Sequence, residues 1–320
     1  MISIFVNRNG ETKTADRVEP QWLDPKSGVT LWVDLAGFTE DEGKILTDTF
    51  HFHPLAVEDA LSAVQFPKIE PYDGYLYIIL HGIDFEAVEH QFATRDIDFF
   101  LGANYLVTIH DGRSRSIAHM REMCPRHSHV LDEGPVALMH RIVDSMVDNY
   151  QPEMEKLEER ISDLEDEAYE GRSPVVRQLL GLKRDLAAVR RIMTPQRDAV
   201  GRLARREFPQ ISSEMAYRFR DVYDHVVRLT DEAYLFQDRV TGILETNLAA
   251  VSNRLNQIMK VLTVASTIFM PLTVLTGMWG MNVDLPQFPG GKEAQFWWVS
   301  GGMVAVSAVM LFLFRFLDWI

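Results

Sequence analysis

Cysteine is almost missing from the 320 residues, with Cys124 alone. One thiol excludes an intrachain disulfide and a multi-thiolate metal cluster, and it fits a chain whose bulk lies in a reducing compartment. No glycine-rich loop ending in Lys-Ser/Thr, no Gly-x-Ser-x-Gly and no His-Glu-x-x-His occurs. ATP-driven pumping and hydrolysis therefore have no visible machinery, and the chain reads as a non-enzyme. Positive charge is short as well: 32 basic against 46 acidic residues leave a formal charge of -14. That balance excludes a nucleic-acid partner and suits cations. No export signal is expected, because the short apolar run Met1–Val6 is followed at once by Arg8 and Glu11.

The most informative lack is of charge itself, and it is local. Twenty-three residues between Lys260 and Asp284 carry none, nor do 21 between Glu293 and Arg315. Each run is long enough to cross about 30 Å of hydrocarbon as a helix. Two spans leave both ends on one side of a bilayer. With a large acidic domain ahead of them, and Arg254, Lys260 and Arg315 facing Lys292 alone in the loop, that side is read as the cytoplasm. The expected location is the inner (plasma) membrane, multi-pass, with lipid as one partner.

Residues 1–130 read as a cytoplasmic α/β domain. Strands are expected over Ile2–Val6, Thr30–Leu35, Tyr75–Ile83, Asp96–Leu101 and Tyr105–His110, each rich in β-branched or aromatic residues. Thr39 with Glu42, and separately Pro54, carry helix-start signals. Residues 131–258 read as a long-helix region and stalk. Ile142, Met146, Tyr150, Met154, Leu157, Ile161, Leu164 and Ala168 recur at steps of three and four until Gly171, Ser173 and Pro174 interrupt them. A second helix should run from Val175 to about Arg206, kinked at Pro195. From Ser212 no stop signal appears before the first uncharged run. One helix of roughly 70 residues, about 100 Å long, is expected there. Residues 259–283 would be its first transmembrane part, 284–294 the outer loop and 295–317 the second span.

Along the first span Asn256, Met259, Thr263, Ser266, Met270, Thr273 and Gly277 fall on one face at steps of three and four. That face is small, polar or thioether, and is not dressed for lipid. Small residues of this kind pack helices together in membranes. They also suit a pore wall, with hydroxyls toward water and methionines forming constrictions. Two spans cannot enclose a pore, so several copies would be needed. At the outer end Gly280-Met281-Asn282 offers close backbone approach and amide oxygens, which suit a loosely held hydrated dication.

Gly280-Met281-Asn282 closing the first of two C-terminal spans, preceded by Thr267-Ile268-Phe269-Met270-Pro271-Leu272-Thr273, resembles the CorA family of divalent-cation channels. His53-Pro54-Leu55-Ala56-Val57-Glu58-Asp59-Ala60-Leu61, Gln65-Phe66-Pro67-Lys68-Ile69-Glu70 and Met193-Thr194-Pro195-Gln196-Arg197-Asp198 resemble the same family. The resemblance implies a homopentameric funnel with a central pore lined by the first span. It implies a selectivity filter of Gly280, Met281 and Asn282, and a pore lined by Asn256, Met259, Leu262, Met270 and Thr273. It further implies a regulatory magnesium site between subunits, with Asp59 inside a matching motif and Asp221 matched by ungapped spacing alone. The implied activity is passage of hydrated Mg2+, with Co2+ or Ni2+ as further cargo, driven by membrane potential and gated by cytoplasmic Mg2+. The loop Val283–Gly291 departs from the Met-Pro-Glu-Leu pattern of the magnesium channels, and its Pro289-Gly290-Gly291 is more like the zinc-transporting ZntB branch. Arg315–Ile320 lacks the usual basic cluster. Two rivals stand beside the magnesium channel: a Zn2+ transporter of the same fold, and a membrane-anchored sensor or scaffold.

His51 and His53 have spacing for a transition metal in an extended segment, but beside Pro54 they read as the start of a helix. The acidic run Glu153, Glu155, Glu158, Glu159, Asp163, Glu165, Asp166 and Glu167 reads as a solvated helix face that also concentrates cations.

Overall fold

The computed structural model describes the chain apart from residues 38, 63–64, 87–91, 128, 170–174, 282–288, 318 and 320, and apart from the side chains of 40–42, 169, 292 and 293. Two units emerge, Met1–Leu244 and Glu245–Ile320.

The first unit is built on a seven-stranded sheet of β1 (Ile2–Arg8), β2 (Glu11–Ala15), β3 (Val29–Ala36), β4 (Lys68–Tyr72), β5 (Tyr75–Ile83), β6 (Thr94–Leu101) and β7 (Tyr105–His110). The order across it is β2-β1-β3-β7-β6-β5-β4. Neighbours are antiparallel except β3 and β7, which run parallel with Leu31 opposite Tyr105 and Ala36 opposite His110. Both faces are covered. Leu76, Ile78, Leu80, Phe99 and Leu106 point into one core, and Tyr77, Ile79, Phe100, Val107 and Ile109 into another. Burial on both sides explains why Tyr75–Leu80 reads as an unbroken apolar run instead of an alternation.

Helices α1 (Glu40–Asp48) and α2 (Pro54–Leu61) supply the second core, where Phe52 stacks on Phe100 at 4.2 Å between ring centroids. Pro54 stands in the first turn of α2, where a missing N–H costs nothing. His53 caps that helix, its Nδ1 accepting from the Leu55 N–H at 3.2 Å. The first core is lined by α3 (Arg115–Arg126), α4 (His129–Asp132), α5 (Pro135–Asp148), α6 (Gln151–Tyr169), α7 (Val175–Ala204) and the start of α8 (Ser213–Trp279).

Three differences from the sequence expectation have physical causes. Strand β2 is Glu11-Thr12-Lys13-Thr14-Ala15, a polar edge with no buried residue. Edge strands of this kind carry no hydrophobic signature. Strand β4 lies at the other edge and contains Pro71, which is tolerated where one side of a strand is unpaired. The periodic run from Ile142 to Ala168 is two helices, α5 and α6, parted at Asn149-Tyr150. Pro152 has no N–H to continue the earlier helix and fits the first turn of a new one. Apolar spacing carries across this joint because Tyr150 remains fully buried. The expected stop at Gly171, Ser173 and Pro174 lies outside the described residues.

Helix α8 belongs to both units, and its unbroken run matches the expected one-helix stalk and span. The second unit holds its C-terminal part together with α9 (Gly291–Phe316). Both helices are long and apolar enough to cross a membrane, and their apolar stretches are hardly buried within the chain.

Candidate functional site

Within the second unit, the first span has two distinct faces. Val264, Ala265, Ile268, Pro271, Leu272, Leu275 and Trp279 are half-buried and follow one another at helical spacing. Asn256, Met259, Leu262, Thr263, Ser266, Met270, Thr273 and Gly277 are all exposed. At 100° per residue the small and polar stripe is centred roughly 180° around the helix from the half-buried one. The chain therefore covers one face itself and leaves free the polar face together with its apolar flanks at Phe269 and Val274. Met270, 72% exposed, is the most open apolar side chain of the stripe.

Two hydroxyls near the outer end of this helix are committed as donors. Thr273 Oγ1 donates to the Phe269 carbonyl at 2.9 Å, and Thr276 Oγ1 to the Thr273 carbonyl at 3.0 Å. Thr273 thereby satisfies its proton within its own helix and turns oxygen lone pairs outward. Those lone pairs are free to accept a further hydrogen bond. Pro271 interrupts the ladder one turn away, because it has no N–H for the Thr267 carbonyl.

The helix closes tightly at Gly280, whose N–H donates to the Thr276 carbonyl at 2.9 Å. A Cβ added there would stand 3.1 Å from that same carbonyl oxygen. A larger residue would push on the last turn, which is a physical reason for glycine at the end of this helix. Met281 follows and is exposed. Asn282, the third expected filter residue, lies outside the described residues.

The two acidic residues expected to regulate are in separate surroundings. Asp59, on α2, is ion-paired to Lys68 of β4 at 2.6 Å, and Lys68 also meets Glu70 at 2.9 Å. Asp221, on α8, is exposed, and its charge acts on Asp144. Burial, then the neighbouring Asp148 and Asp221, raise the Asp144 carboxyl above its ordinary value. Asp59 and Asp221 share no partner among the described residues of one chain. Nor do three or more His, Cys, Asp or Glu side chains come together around a metal position among those residues.

His51 and His53 do not converge on a metal position: His51 Nδ1 lies 2.9 Å from the Thr47 carbonyl, and His53 caps α2. The acidic run lies on α6, with Glu153 paired to Lys156 at 2.7 Å and Glu165 to Arg239 at 2.5 Å. The remaining acids of the run are exposed or half-buried. Cys124 is buried, and its thiol is pushed up to about 12 by burial. Lys68 and Glu70 are the residues sequence reasoning missed. They stand in the quoted motif Gln65–Glu70, but only the pairing of β4 beside α2 reveals that they meet Asp59.

Residues 27–315 match the family described as CorA-like Mg2+ transporter protein. The cobalt/magnesium transport protein CorA of Thermotoga maritima is 30% identical over 317 residues, which cover 97% of this chain and 89% of that one. The zinc transport protein ZntB of Yersinia enterocolitica is 25% identical over 298 residues, 88% of this chain and 89% of the other. In three dimensions the complete structure of the CorA magnesium transporter from Methanocaldococcus jannaschii superposes with a TM-score of 0.85 at 23% identity. That match covers 100% of this chain and 99% of its counterpart.

Proposed function

The chain belongs to the CorA-like Mg2+ transporter family, and from that premise we propose that it is a divalent-cation channel whose main cargo is hydrated Mg2+, with Co2+ or Ni2+ as further cargo. The observation that carries this reading is the exposed stripe from Asn256 to Gly277, set apart from the half-buried face of the same helix. An anchor helix has no use for such a face. Five copies arranged about an axis would bring five stripes together, with Leu262 and Met270 as apolar rings between hydroxyl and amide oxygens. Gly280, Met281 and Asn282 would form the outer selectivity filter. In this arrangement residues 1–130 and 131–258 are cytoplasmic, 259–283 line the pore, 284–294 form the outer loop and 295–317 the second span. Both termini face the cytoplasm of the inner membrane.

The driving force is electrical. Moving a charge of two through 100 mV is worth on the order of 4.6 kcal/mol, so accumulation proceeds without ATP. An open pore would run on to electrochemical equilibrium, and closure has to answer to internal ion. Asp59 of one copy and Asp221 of its neighbour would together hold a hydrated magnesium, which binds through one or two carboxylates while keeping its waters. The bound ion would offset carboxylate repulsion and favour the closed ring, and by linkage it must bind that ring more tightly than the open one.

A Zn2+ transporter of the same fold is the second reading, motivated by the ZntB relative and by Pro289-Gly290-Gly291. The CorA relative from Thermotoga maritima is both more similar and more fully matched, which favours magnesium. Uptake of Mg2+ and Zn2+ into liposomes of purified protein, with and without a pH gradient, tests the assignment. Magnesium uptake that follows voltage and ignores the pH gradient is expected; zinc uptake dependent on the gradient would replace it with the second reading. Absence of any dication flux would leave only a membrane-anchored sensor or scaffold.

A further inference from the structure

Asp59 is not a bare carboxylate. One ammonium, Lys68 Nζ, lies 2.6 Å from Asp59 Oδ2 and 2.9 Å from Glu70 Oε1, and so ties helix α2 to strand β4. The other Glu70 oxygen accepts from the Tyr72 hydroxyl at 3.2 Å, and the ammonium lies 5.6 Å from the centre of the Tyr77 ring. Lys68 and Asp59 are 29% and 31% exposed, so the pair is partly withdrawn from water yet reachable by an ion.

We infer that Lys68 is a built-in competitor of the dication at Asp59: the ammonium holds the carboxylate when dication is scarce and must give way before one binds. The inference rests on the sensor reading of Asp59 given above. Two carboxylates share one ammonium here, so release of Asp59 leaves Lys68 paired with Glu70 instead of stranded. A lysine suits such an exchange, being a compact charge on a flexible four-carbon stem. An arginine would grip its carboxylate in a fixed two-pronged geometry and be harder to displace. The exchange also selects by charge. A monovalent ion gains nothing over the ammonium it would replace, whereas a dication interacts about twice as strongly with the same carboxylate. Lys68 thus sets the dication level at which the sensor responds and keeps monovalent ions from triggering it.

The test uses the full-length protein in lipid nanodiscs, with proteinase K protection of the cytoplasmic region measured across a magnesium titration. Lys68→Met should move the midpoint to lower magnesium by roughly two- to fivefold, the range of a partly exposed ion pair. Glu70→Gln, which leaves Asp59 as the only carboxylate for Lys68, should move it to higher magnesium. Shifts of opposite sign cannot come from a generally weakened fold. Unmoved midpoints in both variants, with Asp59→Asn abolishing the magnesium response, would overturn the competition while leaving the sensor in place. A wild-type curve in Asp59→Asn would remove the sensor reading itself, and the inference with it.

Discussion

Gln196, in the last third of α7, accepts the main-chain N–H of His81 through Oε1 at 2.7 Å across 115 residues of sequence. His81 lies on β5 beyond Ile79, where pairing with β4 has ended. The sheet therefore offers no strand on that side, and helix α7 and the joint between α5 and α6 meet its main chain instead. The His81 carbonyl accepts from the Tyr150 hydroxyl at 2.8 Å, and Gln196 bonds that hydroxyl as well. Replacing Gln196 by Leu should leave a buried N–H unpaired and cost about 1–3 kcal/mol of stability. Denaturant unfolding followed by tryptophan fluorescence reads the loss; an unchanged midpoint would mean water or a shifted neighbour replaces the amide.

The ring of His81 makes the same region sensitive to acid. Its Nε2 faces the Gln65 carbonyl at 2.6 Å and must donate, while Nδ1 meets the Thr94 hydroxyl at 3.0 Å. Burial lowers the ring's affinity for a proton, against a partial opposing pull from the Gln65 carbonyl and Asp96. A folded-state value below the ordinary one means that the unfolded chain binds the extra proton first. Stability is thus complete above about pH 6.5 and declines as pH falls below it. Unfolding midpoints between pH 7.5 and 5.5 should fall in the wild type and fall less in His81→Gln. His140, also lowered by burial, adds a slope of the same sign.

Glu133 gives a second acid-sensitive contact at a lower pH. It accepts from Arg218 of α8 and Arg141 of α5, each at 2.8 Å, and the Arg218 hydrogen bond is the main reason its carboxyl is held below its usual value. Its contribution is present above the unfolded value near 4.3 and lost as pH falls through the lowered folded value. With 39% of the side chain exposed, screening limits the contribution to about 0.5–1 kcal/mol. Glu133→Gln should be less stable than wild type by that amount at pH 7 and indistinguishable from it near pH 3. A gap that persists at pH 3 would show that packing, not charge, is at stake.

Asn282→Ala should abolish selective dication uptake by at least about tenfold, a change of ~1.4 kcal/mol, while assembly and thermal unfolding stay as in wild type. In the proposed pore the substitution would remove the amide oxygens assigned to the filter. Normal selectivity in a well-assembled Asn282→Ala protein would move the filter elsewhere.

Met270→Ala tests the constriction. Met270 is the large apolar side chain among Thr263, Ser266 and Thr273, and a ring of such side chains would exclude water. The smaller residue should raise leak current in planar bilayers severalfold, whereas an equal or lower current would turn Met270 away from the pore.

Much of this was legible before any coordinates. Tyr75–Ile83 and Tyr105–His110 are strands with the bounds expected from their composition, because dense β-branched and aromatic runs leave no other way to bury themselves. The long α8 follows from an unbroken period and from proline missing between Ser212 and Pro271. Glu11–Ala15 was not legible, since an exposed edge strand needs only a neighbour to pair with. The helix joint at Asn149-Tyr150 escaped because hydrophobic spacing ran across it. The polar stripe was visible as a pattern, but its meaning depends on which face the chain covers, and spacing alone cannot say that. Lys68 beside Asp59 depends on a strand and a helix that sequence places apart.

The parallel seam between β3 and β7 also dictates an order of events during synthesis. On one side of it β1, β2 and β3 pair among themselves, and on the other β4 to β7 pair in sequence, each strand with a near neighbour. Each of these two strand groups can form while it leaves the ribosome. Their union waits for Tyr105–His110, some 75 residues after β3, and is the slow, non-local step. Everything that step needs has been made well before Lys260 is reached. The sheet can therefore close while the apolar spans are still inside the ribosome or not yet translated, and a strand-rich intermediate with open edges need not coexist with exposed membrane helices.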